Sequence, residues 1–223
     1  TSSVGLRACL DALRPHWHRA RSAAEATNQA SALMRRGVGV ACMWYGIGNT
    51  SMSNPSAMTV GLSREGKITL YSGALDIGQG SNTVMVQIAA DAIGVKVGEI
   101  RLVAGDTDLT ADAGKTSASR QTFVSGNAVL RAGEDLRRQI LRLGNVGPDA
   151  AIELGSGRLA LIDAGVRREF DLGGLNQGAN GPDANGPDVL VGTGRFDPPV
   201  TPLDADGQGV PYATYGFAAQ MAE

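Results

Sequence analysis

Leu75-Asp76-Ile77-Gly78-Gln79-Gly80-Ser81-Asn82-Thr83 sets a glycine-bearing, hydroxyl-rich turn between a strand-like run and a helical one. Such a turn leaves backbone N–H groups unpaired at the positive end of a helix, where an anion or a polar ligand is favoured. Further along, Gly114-Lys115-Thr116-Ser117-Ala118-Ser119-Arg120-Gln121-Thr122 repeats the arrangement. One such turn is a common helix start. Two of them, each after a strand-like run, point to a bipartite cradle for a ligand that carries phosphate and a flat polar head.

Working outward, Met58 to Leu62 and Ile68 to Leu70 alternate around Ser63-Arg64-Glu65-Gly66-Lys67, which predicts a hairpin whose second strand runs on to about Leu75. Ser81 or Asn82 is expected to cap a helix carrying Met85, Ile88, Ala89 and Ala92 on one face, with Gly94 as its stop. Glu99 to Ala104 reads as a short strand, and Ser119 to Leu143 as a long helix with a kink near Gly133.

At the N-terminal end, Leu6, Leu10, Leu13 and Trp17 have helical spacing after Ser2 or Ser3 as caps. Pro15 is expected to end or kink that helix, and Glu25 to Met34 forms another. Val38 to Tyr45 alternates with apolar groups on both faces, which predicts a central strand. Beyond Gly144 come a second hairpin (152–154 with 159–161), a tandem Ala-Asn-Gly-Pro-Asp text read as a mobile loop at about 176–188, and strands over 189–196 and 212–221.

The pattern predicts an α+β fold, a mixed β-sheet with packed helices. Residues 1–143 would hold both turns, and 144–223 would form a second α+β portion, incomplete at the C-terminus. The apolar ending Met221-Ala222-Glu223 suggests a piece of a longer polypeptide or of a tight heterocomplex.

Bulk properties narrow the function. A hydrophobic share of 43% and a charged share of 19% are those of a globular protein, and a net charge of -2 without a basic run argues against nucleic acid. No apolar stretch approaches the roughly eighteen residues of a membrane span. Cys9 and Cys42 are far apart, and His16 and His18 lack partners at ligand spacing, so neither a disulfide framework nor a zinc site is indicated. Asp106, Asp108 and Asp112 miss the calcium-loop pattern, since Ala111 and Ser117 stand where its glycine and closing glutamate belong; they read as a solvated acidic turn.

The first turn fails the dinucleotide fingerprint, because Thr83 occupies the third glycine position, and no P-loop ending is present. Gly78 and Gly80 allow close backbone approach, and Gln79 offers an amide that donates and accepts. In the second turn Thr116, Ser117 and Ser119 supply hydroxyls, Arg120 a charge-assisted fork and Gln121 another amide.

Asp76-Ile77-Gly78-Gln79-Gly80 with Gln87-Ile88-Ala89-Ala90, Gly114 through Thr122, and Gly126-Asn127-Ala128-Val129 together resemble the molybdopterin-binding region of the xanthine dehydrogenase and aldehyde oxidase family of molybdenum hydroxylases. The segments at Arg36–Val40, Tyr45–Gly48, Pro202–Asp204 and Tyr215–Gln220 are similar to it as well.

The resemblance implies that Gly78, Gln79 and Gly80 line a molybdopterin cofactor carrying molybdenum, with the Gln79 amide near an oxo ligand. It places Thr116, Ala118, Ser119, Arg120 and Gln121 around the pterin and phosphate. The cytosine dinucleotide form is one of the forms it allows. It implies hydroxylation of an aromatic heterocycle or aldehyde with water as oxygen source. FAD and [2Fe-2S] clusters are expected on other domains or subunits, and the remaining molybdopterin-binding portion is a further partner.

A cytoplasmic location is expected, with the periplasm as the other reading for an enzyme exported folded. The family's Gly-x-Gly-Glu base segment and cluster-binding cysteines have no counterpart here, so this chain alone is expected to be inactive and no catalytic residue is assigned. Two other readings remain open: a non-catalytic assembly module that keeps the fold without the cofactor, and a different phosphate-ligand enzyme using Arg120 as its anion fork.

Overall fold

Strand β2 (Ser56–Ser63) lies inside a four-stranded sheet and buries Met58, Val60 and Leu62 at 0–1% exposure, the period-two face its sequence predicts. A tight turn at Gly66, with φ of 78°, returns the chain as antiparallel β3 (Ile68–Ser72). The computed structural model describes residues 4–175 and 187–223. On the other side β2 pairs antiparallel with β8 (Asp188–Phe196), and β3 pairs in parallel with β4 (Ile100–Ala104). The order β4-β3-β2-β8 therefore makes the sheet mixed.

The parallel pair is connected through helix α2 (Ser81–Ile93), which begins at Gly80 and stops at Gly94, both in the left-handed region with φ of 82° and 83°. The N-cap is thus Gly80 rather than Ser81 or Asn82, because Asp76 does the side-chain capping from outside the helix. Strand β3 ends at Ser72, short of Leu75, where the chain turns away from the sheet.

Helix α3 (Gly126–Gly144) presents Ala128, Val129, Ala132, Leu136 and Ile140 as a fully buried stripe at helical spacing. It packs backbone to backbone on β8: a Cβ at Gly192 would stand 2.2 Å from the Ala132 carbonyl, and one at Gly194 would stand 2.1 Å from the Ala128 carbonyl. Gly133 serves close packing against α2, where a Cβ would meet that of Ala92 at 2.6 Å, and α3 runs unbroken through the position where a kink was expected. A meander of β5 (Ala151–Gly155), β6 (Arg158–Asp163) and β7 (Val166–Asp171) adds Leu159 and Leu161 to the same core.

The chain divides into two units at 52/53 and 198/199 rather than at 143/144. Pairing is the reason: β8, from the C-terminal third, is a neighbour of β2, so the polypeptide cannot be cut between them. The expected mobile loop falls almost wholly on 176–186, outside the described residues.

The smaller unit, Thr1–Met52 with Pro199–Glu223, holds helix α1 (Leu6–Ala30) and the antiparallel pair β1 (Gly39–Gly46) and β9 (Tyr215–Ala222). Helix α1 continues through Pro15 and past Glu25, and its N-cap is Gly5, whose carbonyl receives the Cys9 N–H at 3.0 Å. Asp11, whose carbonyl loses its partner at Pro15, is exposed, so water can take the missing bond. Strand β1 is not central: it pairs with β9 alone among the described strands, and Trp44 remains 69% exposed. Apolar groups on both faces do not distinguish a sheet interior from a two-stranded ribbon.

Candidate functional site

Both turns leave the same edge of the sheet because the strands before them are parallel neighbours. Ser72 pairs with Ala104 at the ends of β3 and β4, and the Gly105 N–H donates to the Ser72 carbonyl at 3.0 Å just beyond. Open sheets of this kind offer ligand crevices at the carboxyl ends of parallel strands. Gly73 lets the two excursions touch, since a Cβ there would stand 2.2 Å from the Ala111 carbonyl.

Leu75 and Thr116 join them directly. The Thr116 hydroxyl donates to the Leu75 carbonyl at 2.9 Å and accepts from the Leu75 N–H at 3.3 Å. An open groove of about 440 Å³ lies between the two turns, lined by Ile77, Gln79 and residues 116–122.

The first turn is organised by a residue whose role the sequence reading overlooked. The Asp76 carboxylate accepts the N–H groups of Gly78 (2.8 Å), Asn82 (3.1 Å) and Gly80 (3.3 Å), and these bonds hold it below the usual carboxylate range, with Gly78 contributing most. Those amides are therefore satisfied within the chain. An Asp two residues before a glycine in a turn is the signal that could have revealed this.

The Gln79 side chain is fixed in the same way: Oε1 accepts from the Ile77 N–H at 2.7 Å, and Nε2 donates to Ser81 Oγ at 3.1 Å and to the Leu75 carbonyl at 3.3 Å. With both amide hydrogens used, its free capacity is a lone pair on Oε1. This arrangement suits a ligand N–H or O–H rather than an oxo group.

The second turn is built around Arg120, which is 1% exposed. Its Nε donates to Asn54 Oδ1, one terminal nitrogen donates to the carbonyls of Ala113 (2.6 Å) and Lys115 (3.0 Å), and the other to those of Pro55 (2.8 Å) and Asn54 (3.0 Å). These five bonds use all five N–H donors of a guanidinium. The side chain expected to be a free anion fork is instead a hub between residues 54–55 and 113–115. Burial lowers its pKa from the ordinary value, opposed by the nearby charges of Asp112 and Asp197.

A second buried chain runs in one direction across the site. Ser56 Oγ donates to Ser125 Oγ at 3.0 Å, Ser125 donates to Gln121 Oε1, and Gln121 Nε2 donates to Thr116 Oγ1 at 2.8 Å. Thr116 then donates to Leu75, as above. Neither Ser56, Ser125 nor Asn54 stood out in the sequence, since each is a small polar residue within an apolar run or before a proline.

Between these anchors, Ala118 and Ser119 hold φ of 51° and 53°, a left-handed pair that costs non-glycine residues about 1–2 kcal/mol apiece. A π-helical turn over Gln121–Ser125 follows directly and leads into α3. The residues singled out by sequence thus divide. Gly78, Gln79, Gly80, Ala118 and Ser119 present surface or backbone to the open side, whereas Thr116, Arg120 and Gln121 spend their polar groups holding the walls. The Ser117 and Ser119 hydroxyls make no hydrogen bond among the described residues.

Chemistry and space both suit a large polar cofactor. Gly78 and Gly80 have positive φ (104° and 82°), yet nothing lies within 4 Å of where a Cβ would stand. Steric crowding within the chain therefore does not account for the absence of side chains there. Apart from Lys115, which is exposed in the second turn, the open donor and acceptor set is uncharged, and no group of three or more His, Cys, Asp or Glu able to hold a metal ion occurs among the described residues. The acidic turn is closed on itself, with Asp106 Oδ1 accepting from the Asp108 N–H at 3.0 Å.

The site is thus two turns meeting over parallel strand ends in a mixed sheet, one around an Asp-capped Gly-Gln-Gly and one around a buried arginine. The chain belongs to the molybdopterin cofactor-binding domain family, which it matches over residues 12–223. It is 37% identical over 145 residues to the xanthine dehydrogenase molybdenum-binding subunit of Escherichia coli, covering 62% of this chain and 19% of that protein.

Among solved structures it resembles the aldehyde oxidoreductase of Desulfovibrio desulfuricans, with 25% identity, a TM-score of 0.69, and coverage of 98% of this chain and 21% of that one. The aldehyde oxidoreductase of Desulfovibrio gigas shares the fold at a TM-score of 0.72, with 24% identity and coverage of 98% and 21%. The chain spans about a fifth of the length of these relatives. None of its described helices is long and apolar enough to cross a membrane.

Proposed function

We propose that this chain forms one wall of the molybdopterin site of a molybdenum hydroxylase of xanthine dehydrogenase and aldehyde oxidase type. The observation that carries this reading is the single groove between the two turns, with open space at Gly78 and Gly80. The chain's residues bind and orient. Gly78 and Gly80 admit a flat ring system against the backbone, and Gln79 Oε1 accepts one of its N–H groups. Ser117 and Ser119 offer hydroxyls to phosphate oxygens, while Ala118 keeps the second wall at its left-handed angle. When bound, the cofactor supplies two-electron oxidation at molybdenum, here the hydroxylation of an aromatic heterocycle or an aldehyde with oxygen from water.

The base that assists this reaction lies outside the present residues, so activity requires the rest of the molybdopterin-binding portion. Iron-sulfur clusters and FAD on other domains or subunits would carry the electrons away. Whether the cofactor has the cytosine dinucleotide extension is decided by extracting it and identifying the released nucleotide.

The reading is tested in the intact protein by Gly80→Ala and Gln79→Ala. Molybdenum is measured by mass spectrometry and pterin by the fluorescence of its oxidation product, with circular dichroism to monitor the fold. Both variants should lose cofactor and keep secondary structure, because a Cβ at Gly80 meets nothing in the protein and strains φ by only about 1–2 kcal/mol. Wild-type protein lacking both molybdenum and pterin, or variants loaded as fully as wild type, would refute it.

A further inference from the structure

We propose that Arg120 is a positioning residue that sets the shape and the charge of the groove for a phosphate-bearing ligand without donating a hydrogen bond to that ligand, an inference that rests on the cofactor reading above. A hydrogen bond from the guanidinium to the ligand is ruled out by the five bonds already described, which leave it no free N–H.

Shape follows from what those bonds connect. Residues 54–55 precede β2 and residues 113–115 open the second turn, and the arginine grows from the end of that turn. Carbonyls from both segments converge on one planar group, which fixes the path on either side of the left-handed pair Ala118 and Ser119. Gly114 makes room: a Cβ there would stand 2.8 Å from both terminal nitrogens of Arg120.

Charge follows from what is missing around the hub. A buried cation is costly unless an opposite charge is near. No carboxylate of the described residues forms a salt bridge with Arg120; Asp112 and Asp197 act on it only through space. All five acceptors are neutral carbonyl oxygens. The Lys115 carbonyl faces the guanidinium, so across the same trans peptide the Thr116 N–H points the opposite way, and Thr116 lines the groove. The positive charge thus sits one peptide unit behind the wall, and an anion in the groove would add to the through-space counter-charge of Asp112 and Asp197.

Asn54 allows charge to be separated from shape. It is 5% exposed, its Oδ1 receives Arg120 Nε, and its Nδ2 is buried without a partner among the described residues. Asn54→Asp keeps the acceptor and the side-chain outline while placing a negative charge on the hub. Arg120→Met removes charge and bonds together.

The experiment uses the full-length protein prepared free of cofactor, with inorganic pyrophosphate as the probe. Binding is followed by calorimetry at low and high salt, and thermal unfolding is recorded in parallel. Asn54→Asp should unfold at the wild-type temperature, bind pyrophosphate at least about tenfold more weakly, and show a shallower salt dependence. A purely structural arginine would leave Asn54→Asp indistinguishable from wild type in affinity, and that result overturns the proposal, as does wild-type protein that binds no pyrophosphate. Arg120→Met should lose binding too, and retained wild-type affinity there would also overturn it. Molybdenum and pterin in the protein as isolated are measured separately, so failure of the cofactor reading is told apart from failure of the role given to Arg120.

Discussion

Replacing Gly194 by alanine puts a methyl group where helix and sheet backbones touch. Its Cβ would stand 2.1 Å from the Ala128 carbonyl oxygen and 2.5 Å from the Ala132 N, whereas ordinary contact begins at 3.4 Å. Neither atom is the end of a flexible side chain. Helix α3 must therefore retreat from β8 by roughly 1 Å, at a cost typical of an overpacked core, about 1–3 kcal/mol. For a unit of this size that lowers the unfolding temperature by about 2–4 °C per kcal/mol.

The retreat begins two residues into α3, next to Ser125 and Gln121, so the second wall of the groove should loosen with it. Hydrogen exchange of peptides spanning 121–144 in the intact protein measures the effect locally. Gly155→Ala is the control, since a Cβ there meets nothing within 4 Å and its φ is ordinary. If Gly194→Ala exchanges and melts like Gly155→Ala, the backbone contact between α3 and β8 is not as described, and the account of what supports the groove fails.

Loss of the Asp76 carboxylate in Asp76→Ala should speed amide exchange at Gly78, Gly80 and Asn82 while α2 beyond its first turn stays protected; unchanged exchange would mean that Asp76 does not cap the loop. Because its pKa is depressed, that stabilisation is present above the ordinary aspartate value and disappears as pH falls through the lower folded value. At the far side of the sheet, burial first and then the Asp188 hydrogen bond push the Tyr71 phenol up to about 12. A raised value stabilises fully below the unfolded pKa near 10, and the contribution is lost between about pH 10 and 12. Denaturant titrations should show that alkaline decline in wild type and a smaller one in Tyr71→Phe, and equal declines would remove Tyr71 as its cause.

Much of the main sheet could be read from the amino-acid order, because the alternation in β2 and β3 and the stripe on α3 are local patterns that burial enforces. Features that depend on distant partners could not. The apolar faces of β1 suggested a strand interior, but its one described neighbour is β9, near the opposite end of the chain. Gly192 and Gly194 carry no periodic signal for the helix that rests on them.

The two turns were recognisable as a pair, yet their polar side chains were all assigned to a ligand. A residue's type states what it can bond to, not which way it faces, and Arg120, Gln121 and Thr116 face inward. The acceptors that turn them inward come from Asn54, Pro55 and Leu75, up to 66 positions away in the chain.

The fold explains why such inward bonding is needed. Two loops placed side by side by parallel strands share a backbone hydrogen bond at their bases, where Ser72 meets Gly105. Beyond that point each is irregular backbone, and a strained pair such as Ala118 and Ser119 persists only where its surroundings over-determine it. A five-donor arginine and a directed chain of hydroxyl and amide bonds supply that constraint from beneath, which frees the outer face for a ligand. Rigid support on one side and open space beside glycine backbone on the other are two halves of one requirement: a groove that is already shaped when its ligand arrives loses little entropy on binding it.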